Sequence, residues 1–127
     1  MKLNYWKIIN QCNWGMDFDC DRIKDFLINY YTKSERRELH DFCRKKIKKL
    51  YRTFEKYSLE KFGDKYSNFY VSDDGMSDLT AHIVGLGEEE YNKVIKNPEL
   101  ARKRAKNREY KENFMYSFHF DDFEEFK

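Results

Sequence analysis

Asp73 and Asp74 are adjacent carboxylates, and such a pair can hold a hard cation or divide acid and base roles between two groups. Two neighbours do not make a calcium loop, which needs oxygen ligands at set positions over twelve residues. After Gly75 this chain offers Ser77 and Asp78 and then turns apolar. Ahead of an amphipathic run, Asp-Asp-Gly reads first as a capping turn, with a binding surface second and catalysis a distant third. His40, His82 and His119 are too scattered for a local metal box, and no His-Glu-x-x-His occurs. Cys43 follows His40 by three residues, so the two share a helix face, but two ligands are only a fragment of a site. Gly85-Leu86-Gly87 leads into three glutamates that would repel a phosphate, so it is not read as a nucleotide loop. No catalytic residue, metal or cofactor is therefore assigned.

Charge carries more information than these chemical groups do. Arg44-Lys45-Lys46-Ile47-Lys48-Lys49-Leu50-Tyr51-Arg52 and Arg102-Lys103-Arg104 with Lys106 and Arg108 are two basic runs. Lys45, Lys48, Lys49, Arg52, Arg102, Arg104 and Arg108 are the candidates for phosphate contacts, with nearby tyrosines able to stack on bases. Asp73, Asp74, Asp78, Glu88, Glu89 and Glu90 form an acidic stretch, and Asp121, Asp122, Glu124 and Glu125 an acidic tail. Opposed blocks of this kind read first as solvated or internally paired helix faces. Beyond that, Asp73, Asp74, Asp78, Glu88, Glu89 and Glu90 are the candidate contact surface for a protein partner.

The elements that must position these groups read as all-α. The 127 residues hold one proline and five glycines, so little of the length is punctuated as loop. An opening helix over residues 3–11 carries Leu3, Trp6, Ile8 and Ile9 and stops at Asn13-Trp14-Gly15. Asp17 or Asp19 caps the next segment, where Ile23, Phe26, Leu27 and Tyr30 fall at i, i+3, i+4 and i+7. From a cap at Ser34, apolar residues recur from Leu39 to Tyr57, which predicts the longest helix, ending near Gly63. Its other face carries Arg44, Lys45, Lys48, Lys49, Arg52 and Lys56. Residues 64–71 could extend a further helix into Ser72-Asp73-Asp74-Gly75, the sharpest break in the chain. Met76, Leu79, Ile83 and Leu86 keep helical spacing, and Gly85 and Gly87 close the turn. Glu88-Glu89-Glu90 suits a helix N-terminus. Asn97-Pro98 reads as a cap followed by a first-turn proline, with a basic helix through Arg108. From Phe114 to Phe120 the pattern alternates like a strand, while Phe120, Phe123 and Phe126 repeat like a helix. Both remain open for the segment 109–127.

Taken together, Tyr5-Trp6 with Ile8 and Ile9, Ser34-Glu35 with Phe42 and Tyr51, Ser72-Asp73-Asp74-Gly75, Gly87-Glu88-Glu89-Glu90-Tyr91 and Asn97-Pro98-Glu99-Leu100-Ala101 resemble the bacterial family called domain of unknown function 4240. The resemblance spans about residues 5–104. It departs where the family places a large aromatic after Ser-Asp-Asp-Gly, since Met76 stands here and Leu79 or Thr80 takes the next aromatic place. It implies a helical, intracellular bacterial domain and brings no catalytic residues.

Composition bounds the rest. Aromatic residues make 18% of the chain, so despite 38% charged residues and a mean hydropathy of −1.00 it has enough apolar area to fold, as one domain over 1–127. The net charge of +2 excludes a global polyelectrolyte signature, leaving nucleic-acid affinity to local patches. Cys12, Cys20 and Cys43 are an odd set without C-x-x-C spacing and suit reduced thiols. The charged opening is not a signal peptide, and no run approaches a membrane span of about 20 residues. The expectation is a cytoplasmic, non-enzymatic interaction protein, in its most specific form an immunity-like inhibitor of a toxin or effector. The alternative is a nucleic-acid-binding accessory domain built on the two basic helices.

Overall fold

The computed structural model describes residues 3–63, 73–111 and 114–118; of Asp73 and Asp74 only the backbone is described. The architecture is all-α, as the patterning predicts. Helices α1 (Tyr5–Gln11), α2 (Cys20–Tyr30), α3 (Lys33–Phe62), α4 (Asp73–Leu86), α5 (Glu88–Lys96) and α6 (Glu99–Lys106) are followed by a 3-10 turn at Phe114–Ser117. Among the described residues there is no strand.

Local chemistry sets the helix starts. Asn4 Oδ1 accepts the Lys7 N–H at 3.1 Å, and Asp19 accepts the N–H groups of Asp21 and Arg22 at 3.0 and 3.2 Å. The cap of α3 is Thr32 and not Ser34. Thr32 Oγ1 accepts the Glu35 N–H at 3.1 Å while the Glu35 carboxylate accepts the Thr32 N–H at 2.8 Å. Threonine lies three residues before this glutamate, the separation that lets both bonds form at once, whereas Ser34 is adjacent to it. Gly63 ends α3 in a left-handed conformation, φ 74°, with its N–H on the Leu59 carbonyl at 3.0 Å.

Three other predicted boundaries move. Asp73-Asp74-Gly75 is the first turn of α4, not a turn before it. Residues 64–71 lie outside the described residues. Gly85 does not close that helix but lies inside it, because the Trp14 and Phe114 rings rest against its Cα. A Cβ there would come within 2.8 Å of both. The break falls at Gly87, φ 112°, where a Cβ would run into Asn10 Oδ1. At the next junction Asn97 closes α5, donating to the Lys93 carbonyl at 2.9 Å, and Pro98 is the residue before α6, which ends at Lys106 and not at Arg108.

Helix α4 is the centre of the packing. Met76 is buried and so are Leu79, Thr80, Ala81, His82, Ile83 and Val84 in succession, so over 79–84 the helix is covered around its circumference, with α3, α5, α1 and the 3-10 turn packed against it. Trp14 is buried beside it, its ring 5.4 Å from Phe114 and 5.3 Å from Phe18. Trp6 ties α1 to α3 and α5 through Phe42 and Tyr91, both at 5.2 Å. Of the predicted α2 stripe, Ile23 and Leu27 are buried, but Tyr30 is 73% exposed. The aromatic C-terminal segment is a 3-10 turn where described, with Phe114 and Phe118 buried; Phe120, Phe123, Phe126 and the acidic tail lie outside the described residues.

Candidate functional site

Polar side chains gather at several concavities among the described residues, two of them above 600 Å³. The first, about 630 Å³, is bounded by α4, α5, α6, the turn after α6 and the loop after α1; Phe18, Leu86 and His82 line it together with charged residues from α5, α6 and the turn. His82 projects from α4 and is 2% exposed. Its Nδ1 accepts the Trp14 indole N–H at 3.0 Å and the Lys111 backbone N–H at 3.3 Å. Burial pushes its pKa down to about 4, helped by the positive charges of Arg104 and Lys111. The imidazole is therefore neutral near pH 7, and with Nδ1 accepting, its proton is on Nε2. On the rim, Arg104 donates to Glu90 at 3.2 Å and to the Glu109 carbonyl at 3.0 Å, and Lys93 pairs with Glu89 at 3.4 Å. Arg108 follows the end of α6 with φ 56°, an uncommon conformation for a side-chain-bearing residue.

The second concavity, about 770 Å³, lies between α1 and the C-terminal half of α2 and is lined by Lys7, Asn10, Gln11, Asn13, Phe26, Tyr30 and Tyr31. The Tyr30 ring leans on Phe26 at 5.2 Å, and Tyr31 OH donates to Gln11 Oε1 at 3.1 Å.

The acidic candidates are not gathered into one patch. Asp73 and Asp74 begin α4, whereas Glu88, Glu89 and Glu90 follow its other end, about 20 Å away along the axis at 1.5 Å per residue. Glu88 and Glu89 are exposed, Glu90 is half-buried against Arg104, and Asp78 is half-buried on α4. The basic candidates divide as well. Lys45, Lys48, Lys49 and Arg52 are exposed on α3. Arg102 instead pairs with Glu99 at 2.9 Å and covers the Phe62 ring, while Arg104 and Arg108 line the first cleft. The Glu99 carboxyl is held below its usual range by the Tyr57 hydroxyl at 2.6 Å and by Arg102.

The other chemical candidates remain apart. His82 stands eight and nine residues beyond Asp74 and Asp73 on the same helix, about 12–14 Å along its axis. His40 meets Phe118 edge-on at 5.1 Å, and Cys43 is buried beside it on α3. His119 lies outside the described residues. Among the described residues no group of three or more His, Cys, Asp or Glu side chains could hold a metal ion. No disulfide joins the three cysteines; burial raises the Cys12 pKa to about 12 and the Cys43 pKa further. Among the described residues no helix is long and apolar enough to cross a membrane.

Sequence reasoning missed both concavities. The Trp14–His82 bond joins residues 68 apart, and the aromatic groove joins two helices whose contact no spacing announces. The one available signal was the uncharged stretch 79–87, which marks a fully buried helix with a histidine inside it.

No curated protein and no solved structure matches the chain. The family described as Protein of unknown function (DUF4240) matches over residues 1–125, wider than the segment the sequence motifs alone outlined. Covering nearly the whole chain, this match shows that the protein belongs to the DUF4240 family.

Proposed function

We propose that this chain is a protein-interaction module that works by surface complementarity, with the groove between α1 and α2 as its contact surface. The observation that carries this reading is Tyr30, a largely exposed tyrosine braced by Phe26. Aromatic side chains with few rotatable bonds lose little entropy on binding and dominate interface energetics. Lys7, Asn10, Gln11 and Asn13 supply a cation and amides around the ring. The partner this chemistry fits is a protein segment with an apolar side chain for the aromatic wall and a carboxylate for Lys7. In its narrower form the module is a cytoplasmic, immunity-like inhibitor that occludes a toxin or effector; its small size supports that form.

The test is capture from a nuclease-treated lysate with wild-type and Tyr30→Ser baits side by side. A discrete protein held by the wild type and lost from the variant supports the reading; equal retention by both baits, or no specific protein, sinks it.

One observation favours a nucleic-acid reading as second. Lys45, Lys48, Lys49 and Arg52 face solvent on α3 with no ion-pair partner among the described residues, whereas Arg102 and Arg104 are neutralised internally. A phosphate-binding α3 loses affinity steeply as salt rises, and absence of binding at low salt removes this reading.

A further inference from the structure

The cleft around His82 carries a net positive lining, with Lys93, Arg104, Arg108 and Lys111 against Glu89, Glu90 and Glu109. Two of its three carboxylates are paired with cations, Glu89 with Lys93 and Glu90 with Arg104, while Glu109 accepts from the neutral Asn107 amide at 3.0 Å and keeps its charge. Arg108 and Lys111 have no carboxylate within ion-pair distance among the described residues. The Lys111 ammonium instead lies 5.7 Å from the centre of the Phe18 ring. That ring is 40% exposed and sits 5.6 Å from the His82 imidazole, tilted by 34°. With Nδ1 occupied by two donors, Nε2–H is the hydrogen-bond donor the imidazole has to offer. Burial is the main cause that keeps a proton off His82, and the positive charges of Arg104 and Lys111, which add to it, also create a potential that favours an anion.

We propose that this cleft binds a small ring-bearing oxyanion, a carboxylate or phosphate ester, with its charge between Arg108 and Lys111 and its ring against Phe18 and Leu86. Charge-assisted hydrogen bonds from the two free cations hold the oxyanion, and Nε2–H of the buried imidazole is directed by a network that leaves it little freedom to reorient. A volume of about 630 Å³ is ample for such a ligand, since small-molecule pockets span roughly 300–1,000 Å³. This cleft is independent of the interaction groove, because the two concavities share no lining residue.

The test follows the His82 imidazole and Lys111 amide signals by NMR while benzoate, phenyl phosphate and inorganic phosphate are titrated in separately. The expected result is a saturable shift at both residues with at least one aryl anion, and clearly weaker binding of inorganic phosphate. An Arg108→Gln/Lys111→Gln double variant, both positions being exposed, weakens the aryl anion at least about tenfold with its thermal midpoint unchanged. Phe18→Leu narrows the preference for the aryl anion over inorganic phosphate. No saturable shift with any of the three probes, or undiminished affinity in the double variant, overturns the site. Equal affinity for inorganic phosphate and both aryl anions overturns the ring contact.

Discussion

His82 couples the floor of one cleft to the stability of the fold. Its unfolded pKa is near 6.5 and its folded pKa about 4, so between these values the unfolded chain binds more protons. The stabilisation is fully present above pH 6.5 and is lost as pH falls through the folded value. Wild-type protein should lose up to about 3 kcal/mol more than a His82→Gln variant between pH 6.5 and 4, measured by urea unfolding at each pH. Parallel pH profiles would contradict this. Tyr91 gives a second check: its hydroxyl is buried with no hydrogen-bond partner among the described residues. Tyr91→Phe should therefore leave the urea midpoint unchanged or raise stability by about 1 kcal/mol, since an unsatisfied buried hydroxyl is a cost and not a support. A clear loss would show that the hydroxyl is satisfied. Neither residue's role was legible in the sequence, because His82 meets Trp14 and Lys111 through long-range packing while spacing reports only local neighbours.

At the scale of elements, local rules succeeded where the deciding interaction was local. Asp19 before α2, Gly63 after α3 and the glutamates opening α5 stand where capping and dipole arguments put them. The misassigned cap of α3 was also local, since Thr32 and Glu35 have the capping-box separation that Ser34 lacks. Gly85 differs in kind. Its place inside α4 depends on Trp14 and Phe114, distant in sequence, so a glycine that reads as a helix stop is instead a contact for two rings. Gly85→Ala improves helix propensity by about 1 kcal/mol but forces both rings to move, and overpacking of this kind costs about 1–3 kcal/mol. A net loss of stability in thermal or denaturant unfolding is expected. A net gain would mean that the rings can give way at little cost.

Across the whole molecule, the all-α class was legible because periodic apolar residues and scarce breakers recur along the chain, and the family was legible in motifs spread over it. The distribution of charge was not. Sequence presents two similar basic runs, yet Lys45, Lys48 and Lys49 on α3 have no ion-pair partner among the described residues while Arg102 and Arg104 are tied to Glu99 and Glu90. The acidic stretch likewise divides between the two ends of α4. Tyr30, which fits the apolar stripe of α2, turns outward because α2 meets the core through Ile23 and Leu27. These displacements favour the aromatic groove over the charged runs as the proposed contact surface. The most direct measurement is the affinity of the purified protein for the captured partner by calorimetry, in wild-type, Tyr30→Ser and Lys45→Glu/Lys48→Glu forms. The groove account predicts at least about tenfold weaker binding for Tyr30→Ser, roughly 1.4 kcal/mol, and little change for the α3 variant. Undiminished binding by Tyr30→Ser with loss in the α3 variant would contradict it.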